Sequence, residues 1–202
     1  MDIRFRKDKG VTILEIDDAR ITFRNFTGVK GRYNKEGERS FAVVIPDRDL
    51  TMDEVNNILD TFDYAEMIED EQRGPILLMD GVETFTVADA LQNNVNRYGV
   101  GWNVRVKPPR NDGDSPFIYM NVKVNFNDRG PAVHLQTGRN RNRLKEGNVS
   151  TLDNIDIARV DMDIAASDKE VNGTNYRTAY LRSMLVTQHI DRFAADYDYD
   201  EE

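Results

Sequence analysis

Polar and apolar residues alternate with a period of two over most of this chain, and the longest such stretches lie in its middle. Between Gly99 and Lys107, Trp102, Val104 and Val106 alternate with Asn103, Arg105 and Lys107, which predicts a strand with one dry face and one cationic face. A second run sets Ile118, Met120, Val122, Val124 and Phe126 against Tyr119, Asn121, Lys123 and Asn125. A third, Ala132 to Thr137, leads into Arg139, Arg141, Arg143 and Lys145, four cations at every second position. Nearer the amino terminus, Val11 to Ile16 and Arg20 to Thr27 read as two strands of a hairpin joined through Asp17 and Asp18. Parity in the second puts Ile21 and Phe23 on one face and Thr22, Arg24 and Phe26 on the other. Ser40 to Ile45 reads as a buried strand that Pro46 and Asp47 end. Towards the carboxy end, Ile155, Ile157, Val160, Met162 and Ile164 alternate with polar residues apart from one frame shift at Ala158 and Arg159, the mark of a β-bulge. Asn172-Gly173 then predicts a tight hairpin turn, with Tyr176 to Ile190 as the returning strand.

Residues 49–98 break this rhythm. Thr51 and Glu54 form a capping-box pattern ahead of Val55, Ile58, Leu59 and Phe62 at helical spacing. Thr86 and Asp89 precede Val87, Leu91, Val95 and Tyr98 in the same manner, and Pro75 to Gly81 reads as a short strand and turn. The block is therefore expected to be a helical, acidic insertion between strands. About eight strands in short hairpins with one helical interruption predict a mainly β fold, an OB-fold-like Greek-key barrel. The expected organisation is one domain over residues 1–190 and an acidic flexible tail over 191–202, where apolar periodicity is lost.

Composition changes the picture in two ways. The absence of cysteine and the presence of only His134 and His189 exclude disulfides, thiolate nucleophiles and Cys-ligated zinc, and leave no His-rich metal site. Charge is uneven. The formal net charge is -9, yet residues 101–145 hold nine Lys and Arg against three Asp and Glu, and residues 20–48 hold seven against three. Residues 49–98 hold twelve acids and two bases. Two basic blocks inside an acidic protein keep a polyanionic partner in view. No apolar run approaches the roughly 20 residues that cross a bilayer, and no signal peptide precedes the first strand, so a cytoplasmic protein with no membrane partner is expected.

The candidate chemistry is that of a nucleic-acid surface: cations for phosphates and aromatic rings for unpaired bases. Arg24, Phe26, Arg105, Lys107, Tyr119 and Lys123 have the right types on the wet parity. Lys30, Arg32 and Tyr33 share a glycine-bearing polar loop, and Arg139, Arg141, Arg143 and Lys145 suit a phosphate clamp. Parity assigns Trp102, Phe23 and Phe41 to the core. Asp161 and Asp163 could suggest metal ligation, but their alternation with Val160, Met162 and Ile164 fits the wet face of a strand better. A metal-dependent nuclease or recombination endonuclease is the alternative from another class. The strand that would carry its acid reads Asn121-Val122-Lys123, without one, and no Gly-Lys-Ser/Thr phosphate loop is present. A structural or assembly protein is a third reading. No catalytic residue, metal or cofactor is expected.

The run Gly28 to Ile45, then Gly101 to Pro108, Tyr119 to Phe126 and Val171 to Gly173 resembles the single-stranded-DNA-binding proteins of tailed bacteriophages. The resemblance covers most of residues 10–190. It implies an OB-fold that coats single-stranded DNA in phage replication and recombination inside the infected bacterium. It further implies that an acidic tail, with Asp196, Asp198, Asp200, Glu201 and Glu202, engages replication or recombination proteins. A homodimer is among the arrangements this leaves open.

Overall fold

The computed structural model describes residues 1–190 except 33, 47–49, 64, 73, 80–81, 87–103, 108–116 and 129. The expectations for Tyr33, Trp102, a second helix before Gly99, the turn after Lys107 and residues 191–202 lie outside the described residues. Among the described residues there are thirteen strands: β1 Asp2–Asp8, β2 Val11–Asp17, β3 Arg20–Asn25, β4 Arg39–Pro46, β5 Ala65–Asp70, β6 Gly74–Met79, β7 Val82–Thr86, β8 Val104–Lys107, β9 Phe117–Val124, β10 Ala132–Thr137, β11 Asn140–Leu144, β12 Ile157–Val171 and β13 Thr174–Gln188. Helix α1 spans Met52–Asp63, and a 3-10 helix covers Val149–Asp153.

The mainly β reading holds. Ten strands share one sheet along the path β1-β2-β12-β13-β9-β4-β3, with β8 added on β9 and the β10–β11 hairpin added on β13. The path is open: among the described residues β1 and β3 do not pair, so the pairings do not close a barrel. The seven strands of that path, at about 4.8 Å spacing, would span about 29 Å if flat and hold β2 and β4 well apart. Instead one cluster joins Leu14 and Ile16, Phe41, Val43 and Ile45, Met120 and Val122, Val133, Leu144, Met162 and Ile164, and Met184 and Val186. The sheet therefore coils around its own core.

Two local expectations are corrected. β2 and β3 do not form a hairpin; β2 lies between β1 and β12, while β3 pairs with β4. Asp18, at φ 56°, and Ala19, whose N–H donates to the Val160 carbonyl at 2.7 Å, turn the chain out of one ladder and into the next. The missing partner of β2 is β1, in which Ile3 and Phe5 alternate with charge; Arg4 donates to Asp17 at 2.7 Å, and Arg6 to Asp163 at 3.0 Å and to Glu15. Between 49 and 98 the capping box forms, with Glu54 accepting from the Thr51 N–H at 2.7 Å. α1 is not merely an acidic insert. Val55, Ile58, Leu59 and Phe62 are buried in the main core, and Asp63 accepts from the Val104 N–H at 2.6 Å, tying the helix to β8. The remainder of the block contains a three-stranded antiparallel sheet, β5-β6-β7, of which the sequence pattern predicts only β6.

The bulge at Ala158 is present as a register shift between Ile157 and Arg159. The Asn172-Gly173 turn is present too: Val171 pairs with Thr174, and both turn residues have positive φ, 54° and 77°. Such a turn matches the twist of the two 15-residue strands it joins.

Candidate nucleic-acid interface

The wet face of the central strands is where the candidate residues meet. β4 pairs with β9 over its full length, β8 flanks the other side of β9, and β3 flanks β4, so the order across this face is β8-β9-β4-β3. One row across it reads Arg105, Tyr119, Val44, Arg20, each the register partner of the next. The next rows along bring Asn121 opposite Ala42 and Lys123 opposite Ser40. Odd-numbered residues of β9 thus present Tyr119, Asn121 and Lys123 outward, while Ile118, Met120, Val122 and Val124 are buried.

Tyr119 is the centre of this face. The Arg105 guanidinium carbon lies 5.8 Å from its ring centroid, and the Phe23 ring meets it edge-on at 6.2 Å. Burial raises the Tyr119 pKa while Arg105 opposes the rise, and the phenol stays neutral at physiological pH. Phe23 and Tyr119 belong to strands separated by β4, so their rings meet over it. On this face β4 presents Val44, in register with Tyr119, and Ala42, in register with Asn121 and Thr22 and fully buried.

Phe23 itself overturns the parity assignment. It is 68% exposed, with a φ of 50°. An aromatic residue in the left-handed region costs roughly 1–3 kcal/mol, and an exposed ring recovers little of that by burial. The cause is a bulge: Thr22 pairs with Ala42 and Asn25 with Ser40, so Phe23 and Arg24 together oppose Phe41. The extra residue swaps the faces from that point on. Phe26, assigned by parity to the wet face as a base platform, is fully buried and stacked on Phe41 at 5.6 Å. Arg24 is directed away from the face as well, donating to the Leu152 and Ile155 carbonyls at 2.9 Å each. Asp153 completes this tie by accepting from the Phe26 and Thr27 N–H groups at 2.8 and 2.7 Å. Arg24 and Phe26 therefore serve the fold. A spacing of three between Phe23 and Phe26 was the one sequence signal, since a regular strand cannot bury both.

The other candidates fall into three places. Lys123 is exposed beside Glu38 at 3.7 Å; the Lys35 N–H chiefly, and Lys123 in addition, hold the Glu38 carboxyl below its ordinary pKa. Lys107 pairs with Phe117 at the end of β8. Lys30 and Arg32 are exposed on the loop after β3. That loop is pinched at its neck, where Gly37 donates to the Gly28 carbonyl at 2.8 Å and Asn25 accepts from the Gly28 and Val29 N–H groups at 3.0 Å. Gly28 has a φ of 76°, and a Cβ there would come within 3.1 Å of Gly37, so the neck requires glycine. Arg139, Arg141, Arg143 and Lys145 are all exposed on the β10–β11 hairpin, with no ion pair among the described residues. Burial, then Arg141 and Arg143, lower the pKa of His134, so this hairpin is cationic through Arg and Lys alone at neutral pH. Asp161 and Asp163 are occupied by Arg159, at 2.8 Å, and Arg6.

An aromatic pair on a sheet face with cations beside it has the side-chain types that β domains use to stack unpaired bases and neutralise phosphates. A family model described as "Putative phage ssDNA-binding domain" matches residues 5–58 and 70–199. The chain belongs to that family, which is defined by binding and not by catalysis. Among solved structures it is similar to the single-stranded DNA-binding protein from bacteriophage Enc34, at 12% identity over 98% of this chain and 100% of that one, with a TM-score of 0.48. It is also similar to the same protein in complex with ssDNA, at 12% identity, 93% and 96% coverage and a TM-score of 0.44. No curated protein matches the chain.

Proposed function

We propose that this protein coats single-stranded DNA during phage replication and recombination, holding the strand across the β8-β9-β4-β3 face. Bases stack on Phe23 and Tyr119, and phosphates lie against Arg105, Lys107 and Lys123. The observation that carries this reading is Phe23. Its ring is kept exposed, in a backbone conformation that phenylalanine resists, at 6.2 Å from a tyrosine that also carries a guanidinium. Retaining such a cost at the surface fits a binding surface and has no stabilising purpose. Stacking requires unpaired bases, so a fluorescent oligonucleotide should bind more tightly single-stranded than as the duplex of the same sequence. Equal affinity for both, measured by anisotropy, would contradict the stacking mode.

The acidic segment 191–202 is proposed as a competitor and a partner-binding element. Six acids and one arginine lie within these twelve residues, and Asp196, Asp198, Asp200, Glu201 and Glu202 crowd the end. The preceding chain runs beside the cationic hairpin: Thr137 donates to Gln188 at 3.0 Å, and Gly138 faces Ile190. A tethered polyanion there competes with nucleic acid at high effective concentration and, when displaced, is free for a basic surface on a replication or recombination protein. Removing Ala194 to Glu202 should raise affinity for single strands at low salt, with the gain shrinking as salt screens the attraction. Identical binding curves at every salt concentration would exclude the competition. No helix among the described residues is long and apolar enough to cross a membrane, in keeping with action in the cytoplasm of the infected host.

A further inference from the structure

Beyond the aromatic face lies a groove of about 1000 Å³, whose lining includes Lys35, Lys123, Lys169, Arg182, Tyr176 and Tyr180. One wall is the far end of the β12–β13 hairpin. From Ser167 to Val171 every residue of β12 is exposed, so this part of the hairpin is an arm standing clear of the core. Arg177 braces it, donating to Asp168 at 2.7 and 3.0 Å and to the Asp60 and Thr61 carbonyls near the end of α1 at 2.9 and 3.0 Å. A cation placed against the last carbonyls of a helix is electrostatically favoured there. The one acid in the lining, Asp168, is thereby occupied, which leaves the groove cationic. Lys169 and Arg182 make no ion pair among the described residues. Tyr176 is 43% exposed.

The groove is continuous with the aromatic face. Asn125 and Asn127 line it together with Lys123. They continue the odd-numbered row that begins at Tyr119, and Lys123 is the register partner of Tyr180. Four residue steps along the strand separate Tyr119 from Lys123, about 13 Å. We infer that this groove is a second segment of the single-strand path, taking the nucleotides that run on from the Phe23–Tyr119 platform, with Tyr176 stacking a base and Lys169 and Arg182 neutralising phosphates. The inference rests on the binding mode proposed above. An open, cationic channel with an exposed phenol ring suits a flexible polyanion with flat bases better than a compact apolar ligand, which needs an enclosed and mostly apolar pocket.

Oligothymidines of about 5 and about 12 nucleotides separate the two segments, since one β domain of this kind engages about 4–16 nucleotides. Measured by anisotropy on the full chain, Tyr176→Ala and the pair Lys169→Ala with Arg182→Ala should leave the short oligomer's affinity unchanged. Both should reduce affinity for the long one, by roughly 5- to 150-fold for the lost tyrosine stack. Because all three residues are exposed, unchanged melting temperatures are expected and serve as the folding control. An undiminished gain in affinity with length, or equal losses for both oligomers, overturns the second segment while leaving the platform standing. Failure of the parent protein to bind either oligomer overturns the platform reading and the groove together. Loss of binding to an oligo-aspartate peptide without any change in the DNA length effect assigns the groove to an acidic peptide and overturns the inference.

Discussion

Tyr119→Ala and Phe23→Ala should each weaken single-strand binding by roughly 5- to 150-fold, because each removes one base platform worth about 1–3 kcal/mol. The two effects will not add fully, since the rings touch at 6.2 Å and each helps to hold the other. The same substitutions should be mild for stability. Phe23→Asn is the sharper version: asparagine accepts the left-handed backbone that phenylalanine resists, so this variant should be at least as stable as the parent and yet bind DNA poorly. Opposite signs for stability and affinity at one residue are what a functional surface residue produces. Phe26→Ala gives the contrasting pattern. Removing a fully buried ring stacked on Phe41 should cost about 3–5 kcal/mol of stability, read as a lower urea midpoint, with the remaining folded protein binding normally. A Phe23 variant that binds like the parent would remove the platform assignment.

The second large effect is electrostatic. Replacing Arg105, Lys107 and Lys123 together by alanine should lower affinity at low salt and flatten the logarithmic salt dependence by about 2, since each phosphate contact to a single strand contributes about 0.7 to the slope. Arg105 carries a further role, because its guanidinium sits against the Tyr119 ring and steadies it. Its removal should therefore cost more than that of Lys123, which is half shared with Glu38 at 3.7 Å. A salt slope equal to the parent's would place the phosphates elsewhere, and the exposed cations of the β10–β11 hairpin would be the next to test.

Much of the strand layout is legible in the sequence because period-2 alternation reports directly which face of a strand is dry. It located β9 and its outward Tyr119, Asn121 and Lys123, the bulge after Ile157, and the Asn172-Gly173 turn. Capping chemistry located α1 in the same way. What alternation cannot report is a residue inserted without a compositional mark. The bulge at Phe23 and Arg24 leaves no glycine or proline behind, and it exchanges the faces of three candidate residues at once. Partner choice between strands is also invisible to a local pattern. Val11 to Ile16 reads as half of a hairpin with the next strand, but its two neighbours are β1 and, about 150 positions away, β12. The groove beside Tyr176 is a product of that long-range pairing, and no window along the chain contains it.

Photocrosslinking reports whether a single strand runs over Phe23 and Tyr119. An oligothymidine carrying 5-iododeoxyuridine, irradiated in complex with the full protein and mapped by peptide mass, should give adducts at Phe23 and Tyr119, with adducts at Tyr176 once the oligomer is long enough to reach the arm. Adducts confined to aromatic residues off the β8-β9-β4-β3 face, with Phe23 and Tyr119 unmodified, would contradict the account.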